Sequence, residues 1–339
     1  MTPPRRACFF SYGPELASFG HRLRPVVEVL EQRGWRCEVA NLAGERHLAR
    51  LVSRRHEIGA SHVVVISKIK IGPPESWLLR RLARRIVFDC DDAVWVRKPR
   101  RLGAPPGRSW WERLRFASTC RIADLVIAGN DTVAAEAARF ARWVELVETP
   151  VDVDSYPEQP PAGREGHTVV WIGMPGNLFY LDLIRPVLAK LAKEFTSLRL
   201  RVVCSRFPDW PEVAIERVPW SEGVEVEALM TAGIGIMPLT DEAWSRGKGA
   251  FKLKQYMAAH LPCVASPVGV NNRVIRHGET GFLAATSEEW KHSLRALLAS
   301  APTRDAMGRA GRALVLEHYD CRVTARRVAD LLETLSSQA

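Results

Sequence analysis

Trp244-Ser245-Arg246-Gly247-Lys248-Gly249-Ala250-Phe251-Lys252-Leu253-Lys254-Gln255-Tyr256-Met257-Ala258-Ala259 stands between two short apolar runs, Gly235-Ile236-Met237-Pro238-Leu239 and Leu261-Pro262-Cys263-Val264-Ala265-Ser266. The runs read as buried strands, and the stretch between them as a Gly/Lys-rich loop that opens a helix near Phe251. Strand, crossover helix and strand make the unit of a parallel sheet. Free backbone N–H groups at such a helix start, beside Lys248 and Lys252, suit a diphosphate. The plainer reading is a solvated basic loop. The Gly-x4-Gly-Lys-Ser/Thr order of a Walker motif is absent.

Working outward, the same alternation recurs. In the second half, strands are expected at 168–172, 198–204, 233–238 and 262–266, with helices over 181–195, 224–231, 251–260 and 287–300. Two closing helices follow, over 303–317 and 321–336. In the first half, strands at 7–10, 36–40, 62–66, 86–88, 124–128 and 144–147 alternate with helices over 19–34, 75–85 and 132–142. Segment 149–166 breaks the pattern with Pro150, Pro157, Pro160, Pro161, Gly163 and Gly166, and reads as a linker. The expected architecture is α/β: two Rossmann-like, doubly wound parallel-sheet domains facing across a cleft. They span 1–160 and 161–318, and a last helix over 319–339 packs back on the first. Open parallel sheets bind ligands beyond the carboxyl ends of their strands, which places the site in that cleft.

Composition narrows the class. With 339 residues, 47% hydrophobic and 25% charged, the chain buries a large core and is not disordered. No apolar run reaches a membrane span, and the N-terminus lacks the apolar core of a signal peptide. Seven scattered cysteines without a C-x-x-C pair argue against a disulfide framework or a zinc site and for a reducing cytoplasm. No hydrolase signature is present. The net charge is +10, with most of the excess in the first 160 residues. Segment 97–115 combines arginines with Trp110 and Trp111, follows Trp95, and is broken by Pro99, Pro105 and Pro106. It is expected to be a loop that associates reversibly with an anionic membrane face. The plainer reading of the charge is solubility and genome composition.

Together these segments resemble the GT-B glycosyltransferases, specifically the retaining family 4, also described as the glycosyl transferases group 1 domain. The second half carries the resemblance most specifically. Asp89-Cys90-Asp91-Asp92-Ala93-Val94-Trp95 is similar to the Asp-x-Asp-Asp-Ala segment of one branch. Ala128-Gly129-Asn130, Thr149-Pro150-Val151-Asp152 and Trp171-Ile172-Gly173 are similar to later motifs. The resemblance implies a nucleotide-diphosphate sugar as co-substrate, no cofactor, and an acceptor that is a glycan, a lipid or a small molecule. Nucleic acid is not an expected partner.

It also implies residue roles. The family's two glutamates, eight positions apart, fall on Gly247 and Gln255. Gln255 is expected to hold the donor ribose, and Gln255→Glu to keep or improve binding. The first role is vacant or has moved to Asp241, Glu242 or Ser245. Lys248 and Lys252 are assigned to the diphosphate, and Gly13, Gly173, Arg246, Gly247 and Gly249 to the donor site around it. Arg206, Arg217 and Trp220 sit where such folds hold the nucleobase. Tyr12, His21, Arg22 and Asp89 are assigned to the acceptor. Asp91 and Asp92, with Lys252, are the catalytic candidates, Asp91 or Asp92 orienting the acceptor hydroxyl or acting as base. Asp-x-Asp is also the metal motif of the other glycosyltransferase fold, GT-A; the two-unit pattern argues for transfer without metal. A sugar-nucleotide epimerase on the same fold, or a non-catalytic binding protein, remains open at this point.

Overall fold

The computed structural model describes residues 4–12, 17–42, 47–221 and 223–338. In the first half, β1 (Arg6–Ser11), β2 (Arg36–Asn41), β3 (Val63–Ser67) and β4 (Ile86–Cys90) enter one sheet. β5 (Val96–Arg97) and β6 (Gly107–Arg108) pair separately as a small antiparallel hairpin. β7 (Leu125–Ala128) and β8 (Val144–Leu146) complete the sheet in the order β2-β1-β3-β4-β7-β8, every pair parallel. The second half repeats the plan with β9 (Thr168–Ile172), β10 (Arg199–Val203), β11 (Ala214–Val218), β12 (Ile234–Met237), β13 (Cys263–Ala265) and β14 (Gly281–Leu283). Their order is β11-β10-β9-β12-β13-β14, again all parallel.

The pleat explains why both sheets need helices on each face. Successive side chains point to opposite sides, and central strands such as Val63–Ser67 and Thr168–Ile172 are apolar at nearly every position. Cys8, Phe10, Val64, Ile66 and Phe88 pack on one side with Leu79 and Phe116. Ala7, Phe9, Val63 and Val65 pack on the other with Leu23, Val26 and Leu30. The closing helix Cys321–Ser337 joins this second layer through Ala325, Val328, Ala329 and Leu332. Arg33 fixes it there by pairing with Asp330 at 2.7 Å and Glu333 at 2.8 Å. In the second sheet, Val169 and Trp171 face one layer, and Val170 and Ile172 the other.

Three expectations are corrected. The helix over 19–34 is two helices, Ala17–Arg22 and Arg24–Gln32, because Pro25 has no N–H to continue the first. Pro186 likewise separates a 3-10 helix, Pro175–Leu183, from the helix Arg185–Glu194. Segment 97–115 is not one loop. A helix, Trp110–Ile122, starts inside it, capped by the Ser109 side chain, and Trp95 is half-buried against Phe116 with ring centroids 4.4 Å apart.

The halves meet through buried charge. Lys254, wholly buried, donates to Glu148 at 2.8 Å and to the Thr149 carbonyl at 2.9 Å. Arg273 ties Glu148 to Asp131 from the other side.

Candidate active site

The strand ends of both sheets converge on one cleft. After β3 the chain turns at Lys68, whose φ of +59° is a left-handed conformation that costs a side-chain-bearing residue free energy. That turn delivers the Lys68 ammonium to Asp91 at 2.8 Å and to Asp92 at 3.7 Å. Asp91 is buried. Burial pushes its carboxyl up, but Lys68 and Arg22 outweigh this, so it is held below the usual carboxylate range. Asp92 opens to the cleft; desolvation there and the Asp91 charge raise it. The pair thus offers a fixed negative charge beside a carboxyl poised for proton exchange.

Asp89 is sealed, at 1% exposure, and accepts from Arg22 at 2.8 Å and Ser67 at 3.0 Å. Arg22 is buried as well and reaches Thr149. These two, assigned from sequence to the acceptor, form the floor under Asp91 rather than an open surface. Tyr12 is exposed at the end of β1, and Gly13 lies outside the described residues. His21 stacks near Phe251 across the cleft, with ring centroids 4.9 Å apart.

On the opposite wall, Lys252 lies over the Trp171 ring, 4.6 Å from its centroid, and Lys248 over Trp244 at 5.0 Å. Among the described residues neither has an ion-pair partner. Burial first, then Lys248, pulls the Lys252 ammonium down to about 7. Desolvation lowers Lys248 too, with Lys98 adding to it. A side chain at Gly173 would strike the Lys252 ammonium and Trp171, each 2.6 Å from a Cβ there. Gly176 makes the same room for Lys98. Lys252 and Lys98 thus occupy space that glycine leaves bare, and Lys248 lies close enough to feel both charges. Such a cluster is unfavourable by itself and suits an anionic ligand.

The helix carrying Lys252 also carries Gln255, buried, with its amide 3.4 Å from the Tyr156 hydroxyl and 3.5 Å from Glu225. Trp220 donates to Glu225 at 2.7 Å. Arg217 is exposed and pairs with Asp209, and Arg206 is exposed at the same strand ends.

The structure gives Arg246 and Gly247 a task other than donor contact. Asn130, completely buried, donates to the Gly247 carbonyl at 3.0 Å, Ala93 N–H donates to the same oxygen, and Thr132 donates to the Arg246 carbonyl. A Cβ at 247 would lie 2.2 Å from the Ala93 Cβ. The Arg246 side chain pairs outward with Asp241, which commits that carboxylate. Glu242 caps the short helix Ala243–Arg246 and accepts from Ser245 and Tyr180. Gly249, with ordinary space around it, faces Thr149 and Asp91.

Lys68, Lys98 and Glu225 were not legible as site residues. Lys68 alone carried a signal, the first charge after the apolar run Val63-Val64-Val65-Ile66 at a strand end.

Residues 166–300 match the family model described as glycosyl transferases group 1. No curated protein matches the chain by sequence. Among solved structures, sucrose-phosphate synthase from Thermosynechococcus elongatus has a TM-score of 0.74 at 14% identity, covering 99% of this chain and 100% of that one. A glycosyltransferase from Rickettsia africae has 0.69 at 12%, with 99% and 100% covered. Anabaena HepE in complex with UDP-glucose has 0.67 at 12%, with 97% and 99% covered. At these identities the likeness shows the fold, GT-B.

Proposed function

We propose, on the premise that the chain is a group 1 glycosyltransferase through residues 166–300 and GT-B by fold, that it moves a sugar from a nucleoside diphosphate donor to an acceptor hydroxyl with retention of configuration. The observation that carries this is the pair of desolvated lysines, Lys248 over Trp244 and Lys252 over Trp171, neither in an ion pair among the described residues. As the sugar–phosphate bond breaks, negative charge grows on the departing diphosphate. Preorganised cations at that point stabilise the transition state more than the ground state. Asp91, fixed by Lys68, faces the positive charge that develops on the sugar, and Asp92 takes up the acceptor proton. The acceptor lies toward the first unit, between Asp92 and Tyr12.

UDP is the first donor nucleotide to test, because the Anabaena neighbour holds UDP-glucose. Thermal unfolding with UDP, GDP and ADP should show a rise in melting temperature for one of them, as a ligand that binds the native state stabilises it. No shift with any nucleoside diphosphate would remove the donor reading. Donor turnover without acceptor would replace transfer by epimerisation.

The exposed Trp77, Trp110 and Trp111, with Arg81 and Arg115 against two of their rings, support an acceptor presented at an anionic membrane surface. On this reading the protein works from the cytoplasm, peripheral on the inner face.

A further inference from the structure

We propose that Glu225 is a donor-binding residue: together with Gln255 it grips the vicinal hydroxyls of a ribonucleoside diphosphate and supplies the negative charge that Gln255 lacks. This rests on the reading of the cleft as a nucleotide-sugar site and adds the residue that selects ribose.

The two side chains come from different helices. Glu225 lies in the first turn of Val224–Met230, Gln255 in Phe251–Ala258. They meet with the Gln255 Nε2 3.5 Å from Glu225 Oε1, while the indole N–H of Trp220 holds the other carboxylate oxygen at 2.7 Å. Among the described residues no cation pairs with Glu225. Among the described residues its Oε1 has only a long contact to an amide, and the half-buried carboxylate keeps acceptor capacity on the side facing Gln255. Two vicinal hydroxyls fit this arrangement: one donates to Glu225 Oε1, the other to the Gln255 carbonyl. The spacing agrees with the diphosphate position. Lys252 and Gln255 are three residues apart on one helix, so their side chains are neighbours on one face. Phosphate at the lysine and ribose at the amide are then contiguous parts of one ligand.

The same contact explains why residue 255 is an amide. A glutamate there would set two carboxylates about 3.5 Å apart, where both cannot stay ionised. The charge has one place in this site, and Glu225 holds it. The expectation that Gln255→Glu keeps or improves donor binding is therefore reversed: alone, it should weaken binding.

Calorimetry with UDP, ADP, GDP and their 2′-deoxy counterparts tests this. The intact chain should prefer the ribo form of its nucleotide. Glu225→Gln should lose roughly tenfold to hundredfold in affinity for the ribo form, the scale for a charged hydrogen-bond partner, and little for the deoxy form, so that discrimination collapses. The double variant Glu225→Gln/Gln255→Glu, which moves the charge across the contact, should recover most of the loss. Unchanged ribo binding by Glu225→Gln, or equal loss for ribo and deoxy forms, overturns the assignment while leaving the donor site standing. Failure of the intact chain to bind any nucleoside diphosphate overturns both.

Discussion

Lys252 sits in the first turn of its helix against Trp171, with an ammonium pulled down to about 7 by burial and by Lys248. A bound diphosphate would reverse that shift, since a nearby anion favours the charged form. The sign follows from linkage. Below pH about 7 the free protein already carries the proton and binds at full strength. Above it, binding must take up a proton, so affinity should fall as pH rises through the free value. Calorimetry in buffers of different ionisation enthalpy should register proton uptake on the alkaline side and none on the acid side. Lys252→Ala should cost about 1.5–3 kcal/mol of diphosphate affinity and abolish the uptake; a variant that binds as tightly as the parent removes Lys252 from the site. The acid cluster yields a second outcome at this scale. Asp89 and Asp91 are already ion-paired with Arg22 and Lys68, so transfer should survive EDTA. Loss of activity with chelator, restored by manganese, would assign Asp89 and Asp91 to a metal instead.

At the scale of elements, the loop before the helix Phe251–Ala258 does two jobs at once. Lys248 in it faces the cleft beside Lys252, while the carbonyls of Arg246 and Gly247 take hydrogen bonds from Asn130, Thr132 and Ala93. Restoring the family glutamate by Gly247→Glu should therefore not add a sugar contact. Its Cβ would meet Ala93, which is itself backbone-anchored, and overpacking of this kind costs about 1–3 kcal/mol. Denaturant unfolding should show that loss together with reduced transfer; a stable and more active Gly247→Glu would mean the contact with Ala93 is dispensable. The elements themselves were legible where burial is two-sided. Val63-Val64-Val65-Ile66 and Thr168-Val169-Val170-Trp171-Ile172 are apolar throughout because helices cover both faces. β11 escaped notice because it is a half-exposed edge strand with little apolar contrast. The helices His47–Ser53 and Trp110–Ile122 escaped because exposed apolar residues, Leu48 and Val52 in the first and Trp110 and Trp111 in the second, blur the helical period. The lysine wall was legible because glycine and lysine at a strand end are local signals. Glu225 beside Gln255, and Lys68 beside Asp91, are products of tertiary approach that no local spacing reports.

At the scale of the molecule, the cleft opens between two sheets, and the outer face of the first unit carries features the cleft does not use. No helix among the described residues is long and apolar enough to cross a membrane. Three neighbouring helices, His47–Ser53, Pro73–Leu82 and Trp110–Ile122, expose Leu48, Val52, Trp77, Trp110 and Trp111 to solvent. Arg81 and Arg115 lie over the rings of Trp77 and Trp111, at 4.7 and 5.2 Å. Indole rings flanked by arginine favour the boundary between lipid headgroups and acyl chains, where the ring is sheltered and the cation meets phosphate. Each basic residue near an anionic leaflet contributes about 1 kcal/mol, screened by salt. With a net charge of +10 on the chain, co-sedimentation with anionic vesicles should therefore be strong at low salt, weaken as salt rises, and be slight with neutral vesicles. Trp77→Ala and Trp110→Ala should each reduce it without altering donor binding, because neither side chain reaches the lysine wall. Equal and negligible binding to both vesicle types at low salt would detach the acceptor from the membrane and leave a soluble hydroxyl compound as the substrate.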